Sequence, residues 1–398
     1  MSMIILALML GASFGILTGL VPGIHVNLIA ILVLSLVPYL SNYFSEIDIG
    51  IFLISMVIVH SFLDFIPSIF LGAPEGETAL SVLPGHDFLL NGRGYDALKF
   101  TISGGIGASI LSILFMPILF IFLENTYNSL SHFIIPLLII FSILFIVQER
   151  RKGWALILFL LSGTLGVVVL NGINIKQPLF PLLSGLFGIP VLVISLFNQD
   201  KIIIQRVSNN IKLLKKNRIF SYLKASLSSV LVSIMPGVGS AQAAIIASGF
   251  SKYKNDEDFL VTLGGINTSG AIFTLTVFYI LDKARTGVIS TLQQLLSLNL
   301  QNYILLLVAS LVSVGFGVMF SLKIGKIFAN RISKINYRKV SRFIIILIII
   351  LVVIITGILG LVVLSVASAI GLLAPYLKVK RIHLMGCLIL PVIFYSVL

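Results

Sequence analysis

Gly15-Ile-Leu-Thr-Gly19-Leu-Val-Pro22-Gly23 in the first half of the chain and Ser229-Val-Leu-Val-Ser233-Ile-Met-Pro236-Gly237 in the second match small residue for small residue up to a Pro-Gly pair. Each pair interrupts an apolar segment, at about 2–40 and 225–250, because proline removes a backbone donor and glycine frees the chain to turn. A lipid-facing helix tolerates such a break only where protein or water satisfies the freed backbone groups. Further matches follow in the same order: Leu161-Ser-Gly163-Thr-Leu-Gly166-Val-Val-Val-Leu170 with Ile355-Thr-Gly357-Ile-Leu-Gly360-Leu-Val-Val-Leu364, and Gly185 and Pro190 with Gly386 and Pro391. The plainer account is that small residues and proline are frequent in membrane helices, where they permit close packing.

Working outward, apolar segments fall at about 50–70, 97–123, 133–148, 154–170, 180–198, 258–281, 300–322, 341–356, 359–377 and 382–398. If the two interrupted segments are re-entrant hairpins and these others cross, each half holds about five transmembrane helices, an odd number, so the second copy is upside down relative to the first. The expected fold is an all-α polytopic membrane protein of two inverted repeats, 1–200 and 225–398, each with a Pro-Gly-broken re-entrant helical hairpin, joined by a basic cytoplasmic linker, 201–224. Inverted repeats with broken helices in matching places are the best sequence pointer to a secondary transporter and its binding site.

Composition agrees with a membrane chain. Of 398 residues, 58% are hydrophobic and only 10% charged, with a mean hydropathy of +1.13; a soluble domain is about 25% charged. The net charge of +13 does not read as nucleic-acid binding, since Lys and Arg sit in short stretches between apolar runs without aromatic interleaving. On the hairpin scheme, Arg93, Lys99, Arg150 to Lys152, Lys201 to Lys224, Lys252, Lys254, Lys323 to Arg342, Lys378, Lys380 and Arg381 fall on one side, which the positive-inside rule makes cytoplasmic. Lys176, Lys283 and Arg285 fall outside with the acidic Glu46, Asp48 and Glu124, and both termini are expected to be external. No Lys or Arg precedes Gly92, so the basic opening of a cleavable signal peptide is missing and the first apolar stretch is expected to remain in the mature protein. The single Cys387 excludes an internal disulfide and a cysteine metal cage.

At these residues the chain resembles the TctA family, the large membrane subunit of tripartite tricarboxylate transporters, in a shorter archaeal-type form. The resemblance rests on GILTGLVPGIHVN (Gly15 to Asn27), on Gly72 to Gly107, and on SIMPGVGSAQAAIIASG (Ser233 to Gly249). It implies an ion-coupled carboxylate permease, served in bacteria by a small membrane subunit and a periplasmic solute-binding protein. Glu75 stands where the family's Gly-x-Pro-Gly pattern has its second glycine, and GGINTSG (Gly264 to Gly270) stands near where bacterial members carry Pro-Glu-Ser-Ala-Asn-Asn.

A broken helix aims free N–H groups and a positive dipole end into the bundle, which suits an anion. His25 and Asn27 follow the first break, and Gly239, Ser240 and Gln242 the second; with Pro22, Gly23, Pro236 and Gly237 they form the expected substrate site, although they could simply cap half-helices. Asn267, Thr268 and Ser269 interrupt the eighth segment and could complete the site or hold an ion. Arg93 and Arg285 occupy repeat-related positions and could clamp a carboxylate or pair with acids. Asp64 follows His60 by one helical turn inside an apolar run. An ionised group at the bilayer centre costs about 2.5–3.5 kcal/mol on the insertion scale, so Asp64 is a coupling candidate unless it sits near enough to the inner interface to be solvated. Glu75, Glu77 and Asp87 are further ion-coupling candidates in the polar stretch that follows.

The expected function is ion-coupled transport of a small organic anion by alternating access, without cofactor or resident metal beyond a coupling Na+ or H+. The expected partners are the solute, the bilayer and, through the resemblance, the two accessory subunits; self-association is left open. A polyprenyl-phosphate translocator is the alternative carrier, and an intramembrane enzyme using His60 and Asp64 or His25 has less support, because no HExxH or GxSxG is present. The missing GxxxxGK[ST] loop argues against an ATP-driven pump.

Overall fold

The computed structural model describes residues 2–21, 24–74, 77–175, 177–197, 203–207, 218–234, 239–250, 255–332 and 337–397. Pro22, Gly23, Glu75, Pro236, Gly237 and most of the basic linker lie outside the described residues. All regular structure among those described is helical. Among the described residues seven helices are long and apolar enough to cross a membrane, and four shorter apolar helices accompany them.

The first half opens with α1 (Ser2–Leu20) and α2 (Val26–Leu40), which flank the first Pro-Gly pair. α3 (Glu46–Leu63) follows, continued by a π turn at Pro67–Leu71. Its start is fixed by a capping box: the Ser45 hydroxyl accepts from the Asp48 backbone N–H at 3.3 Å, and the Asp48 carboxylate accepts from the Ser45 N–H at 3.1 Å. Ser45→Ala should cost about 1 kcal/mol, seen as a lower melting temperature with no change in expression; an unchanged melt would show that burial alone holds this end.

α4 (Val82–Leu90) leads into α5 (Gly94–Gln148), then α6 (Lys152–Val167) with a π turn at Val168–Gly172, α7 (Leu179–Leu183) and α8 (Ile189–Phe197). The sequence reading expects a loop between 123 and 133, yet α5 runs through without interruption. Glu124 to Ser131 contains polar residues but neither proline nor glycine, and polarity alone does not end a helix. The second half repeats the pattern. α9 (Arg218–Ile234) and α10 (Ser240–Phe250) flank the second Pro-Gly pair, followed by α11 (Asp256–Leu281), α12 (Gly287–Leu295), α13 (Leu300–Ile332), α14 (Tyr337–Tyr376) and α15 (Gly386–Val397). α14 is broken at Gly357, whose φ of 74° only glycine adopts readily, at the boundary the sequence places between its tenth and eleventh segments.

Packing recurs when the halves are exchanged. α3 lies against α1 and α13, as α11 lies against α9 and α5; α6 lies against α15, as α14 lies against α7 and α8. On α1, Gly11, Gly15 and Gly19 face α3 so closely that a methyl on Gly15 would lie 2.7 Å from the Met56 carbonyl oxygen, the small-residue contact that lets membrane helices approach. On α9 the Ser229 hydroxyl bonds Ser269 of α11. The later match shifts in register: Gly166 meets Cys387 of α15, and the residue that meets Gly185 and Pro190 in the same way is Gly371, not Gly360. Gly357 serves the break in α14 instead.

Candidate functional site

The starts of α2 and α10 open onto one cavity of about 770 Å³. His25, Val26 and Asn27 enter it from the first half, Gly239 and Ser240 from the second, His60 and Ser61 from α3, and Asn267, Gly270 and Thr274 from α11. Glu77, before α4, and Arg285, before α12, complete the polar part. Leu170 and Asn171 of the π turn after α6, Leu179 and Leu183 of α7, and Leu388, Pro391 and Val392 of α15 form a mostly apolar wall.

The helix starts at the cavity are already capped. His25 is the N-cap of α2, with its Nδ1 accepting the Asn27 backbone N–H at 3.2 Å, so its ring must present a lone pair there. The Ser240 N–H that opens α10 donates to Oε2 of Glu77 at 2.5 Å. A carboxylate therefore occupies the positive end of α10, as the peptide dipoles favour. Asn27 packs against Gly287 at the start of α12, where a methyl would lie 2.9 Å from the amide. Among the described residues the buried Asn27 side-chain oxygen has no hydrogen-bond partner.

Below the cavity lies Asp64, 1% exposed. Its Oδ2 accepts from Asn267 Nδ2 at 2.8 Å and stands 4.0 Å from His60 Nε2. The same Asn267 amide donates to the Ser61 carbonyl at 3.2 Å, and its oxygen faces the Ser240 hydroxyl at 3.4 Å. His60 Nδ1 meets the Thr18 hydroxyl of α1 at 3.1 Å, and the His25 and His60 rings meet edge to face, centroids 5.6 Å apart. One side chain thus links each loop to the same acid: His60 from His25, Asn267 from Ser240.

Other residues expected at the site are engaged elsewhere. Arg93 pairs with Glu257 at 3.0 Å and Asp96 at 3.5 Å, and lies over the Phe88 ring; partners at the starts of α11 and α5 and on α4 hold it away from the cavity. Thr268 and Ser269 are buried in helix contacts, Thr268 with Ser61 and Ser269 with Ser229, because each step along α11 turns the side chain by about 100°. Asp87 is exposed on α4. The side chain of Gln242 lies outside the described residues. Sequence reasoning passed over Ser61, Asn171 and Thr274; Asn171-Gly172 closing an apolar run was the available signal for one of them.

Apolar helices long enough to span a bilayer, around a cavity with one polar end, define a multi-pass membrane protein. The model of the tripartite tricarboxylate transporter TctA family matches residues 5–386, and the chain belongs to that family. An uncharacterized protein of Methanocaldococcus jannaschii is 34% identical over an alignment of 416 positions covering 98% of each chain. No solved structure matches.

Proposed function

We propose that the protein is a secondary transporter that moves a small organic anion, a carboxylate first of all, across the membrane by ion-coupled alternating access. The observation that carries this reading is the Glu77 carboxylate on the first N–H of α10, inside a cavity also lined by Arg285. The chain's own acid marks a place built for that group, and a solute carboxylate would compete for it. The exchange-related packing of the two halves supports an internal duplication, and this reading takes the repeats as inverted, with the Pro-Gly pairs at the tips of opposed hairpins. In this reading the basic loops are cytoplasmic, both termini external, and family membership points to a small membrane subunit and a solute-binding protein as partners.

A polyprenyl phosphate is the second reading, favoured by the apolar wall from α6, α7 and α15, along which a lipid tail could lie beside the polar end. Proteoliposomes offered labelled citrate or a labelled polyprenyl phosphate separate the two. Citrate accumulation that citrate but not the lipid competes away supports the first; lipid movement without citrate uptake replaces it with the second.

A further inference from the structure

α14 ends in a tight turn in which Lys378 takes a φ of 53° and the Val379 N–H returns to the Ala374 carbonyl at 3.0 Å. The chain then enters a 3-10 turn, Arg381–Met385, packed against α6, α14 and α15. This turn is fixed from several sides: His383 Nε2 meets Oε2 of Glu149 at 3.2 Å, the Ser162 hydroxyl donates to the His383 carbonyl at 3.4 Å, and a methyl on Gly386 would overlap the Phe159 carbonyl. Arg381 is thereby held inside, 7% exposed, with its Nη1 enclosed and without a hydrogen-bond partner. Among the described residues no carboxylate pairs with it. Glu149 is taken by His383 and the Arg150 N–H, and Asp87 on α4 is exposed. Burial lowers the guanidinium only to about 10, so it keeps its charge at neutral pH. A charge taken out of water is costly unless an opposite charge meets it, and buried donors in folded proteins are met by acceptors.

The surroundings are positive. Arg150 and Arg151 in the turn before α6, and Lys378 and Lys380 in the turn after α14, are exposed, and Arg151 Nη1 joins the two turns by donating to the Leu377 carbonyl at 3.1 Å. His86 of α4 is buried, and burial first, then the Arg381 charge, hold its imidazole down to about 4. Leu373 and Tyr376 at the end of α14 are exposed, an apolar and an aromatic side chain where a long apolar helix reaches the headgroup level. We propose that Arg381 is the buried end of a binding site for a phosphate group, carried by a phospholipid headgroup or by free phosphate. A guanidinium presents paired N–H donors that match two phosphate oxygens, and the two basic turns draw such an anion toward it. Arg381 does not line the cavity, so the site does not depend on which solute the cavity carries.

The melting temperature of the purified full chain, stripped of lipid in an uncharged detergent, tests this. Inorganic phosphate or phosphatidylglycerol should raise it, whereas a diacylglycerol with the same chains and no phosphate should not. Stabilisation by the lipid at far lower concentration than the free anion assigns the headgroup; stabilisation by inorganic phosphate alone assigns the free anion. Arg381→Gln should raise the dissociation constant for the stabilising probe roughly 10- to 100-fold, and the shift should survive Arg285→Ala, which alters the cavity. Because no acid pairs with Arg381, Arg381→Met without either probe should melt no lower than the native chain. No shift with either probe, an equal shift in Arg381→Gln, or a lower melt in Arg381→Met that neither probe changes in the native chain would overturn the proposal. Should neither variant fold, the native chain decides by NMR of labelled histidine: a bound phosphate offsets the Arg381 charge, so His86 should titrate above about 4, and a His86 unmoved by either probe would overturn it.

Discussion

Gly104→Ala should destabilise the folded protein more than any other single methyl considered. α5 and α11 cross at Gly104 and Gly264, where backbone meets backbone: a methyl on Gly104 would overlap the Val261 carbonyl and lie 2.8 Å from the Gly265 nitrogen, and one on Gly264 would lie 2.6 Å from the Thr101 Cα. No rotamer relieves a clash with main chain, so the helices must part. Overpacking of this kind costs about 1–3 kcal/mol or more, a large share of the roughly 5–15 kcal/mol that holds a folded protein together. The expected result is a melting temperature about 1–4 °C lower for a chain of 398 residues and a broadened peak in detergent. Gly153→Ala is the control, since nothing lies within 4 Å of a methyl there. If both variants melt alike, the crossing has more room than the distances indicate.

The second large effect is expected at Arg285. Hydrogen bonds to charged groups contribute about 1.5–3 kcal/mol, so Arg285→Ala should raise the apparent dissociation constant for a bound carboxylate by roughly 10- to 100-fold. Arg285→Lys should restore part of this, because an ammonium keeps the charge but loses the planar fork. Arg93→Ala should leave the constant unchanged, since its guanidinium is taken up by Glu257 and Asp96. The readout is the ligand-dependent shift in melting across an anion panel. An Arg285→Ala variant that binds as tightly as the native chain would remove this residue from the site.

Much of the architecture was legible because lipid imposes a strict rule: long apolar runs must be helices, and a helix that stops midway must hide its ends. The breaks read at the two Pro-Gly pairs lie outside the described residues, but α1 ends at Leu20 and α2 starts at Val26, α9 ends at Ile234 and α10 starts at Ser240, and Gly357 is the break in α14. The continuity of α5 was not legible, because polar residues mark an encounter with water or headgroups without dictating backbone conformation. At the cavity, one-turn spacing put His60 and Asp64 on the same face, and they stand 4.0 Å apart. What spacing could not supply was direction across the bundle. Asn267, Thr268 and Ser269 read alike in sequence, but only Asn267 turns to the cavity. Arg93 and Arg285 look equivalent until the acids around Arg93 are placed.

Cys387 is fully buried, its backbone pressed against Gly166, and it is the chain's single thiol. A maleimide added to intact membranes should therefore find no native target. A cysteine engineered at Asn171, exposed beside the cavity, can be labelled without first building a thiol-free background, and the side from which it reacts, with and without solute, reports directly which way the chamber opens.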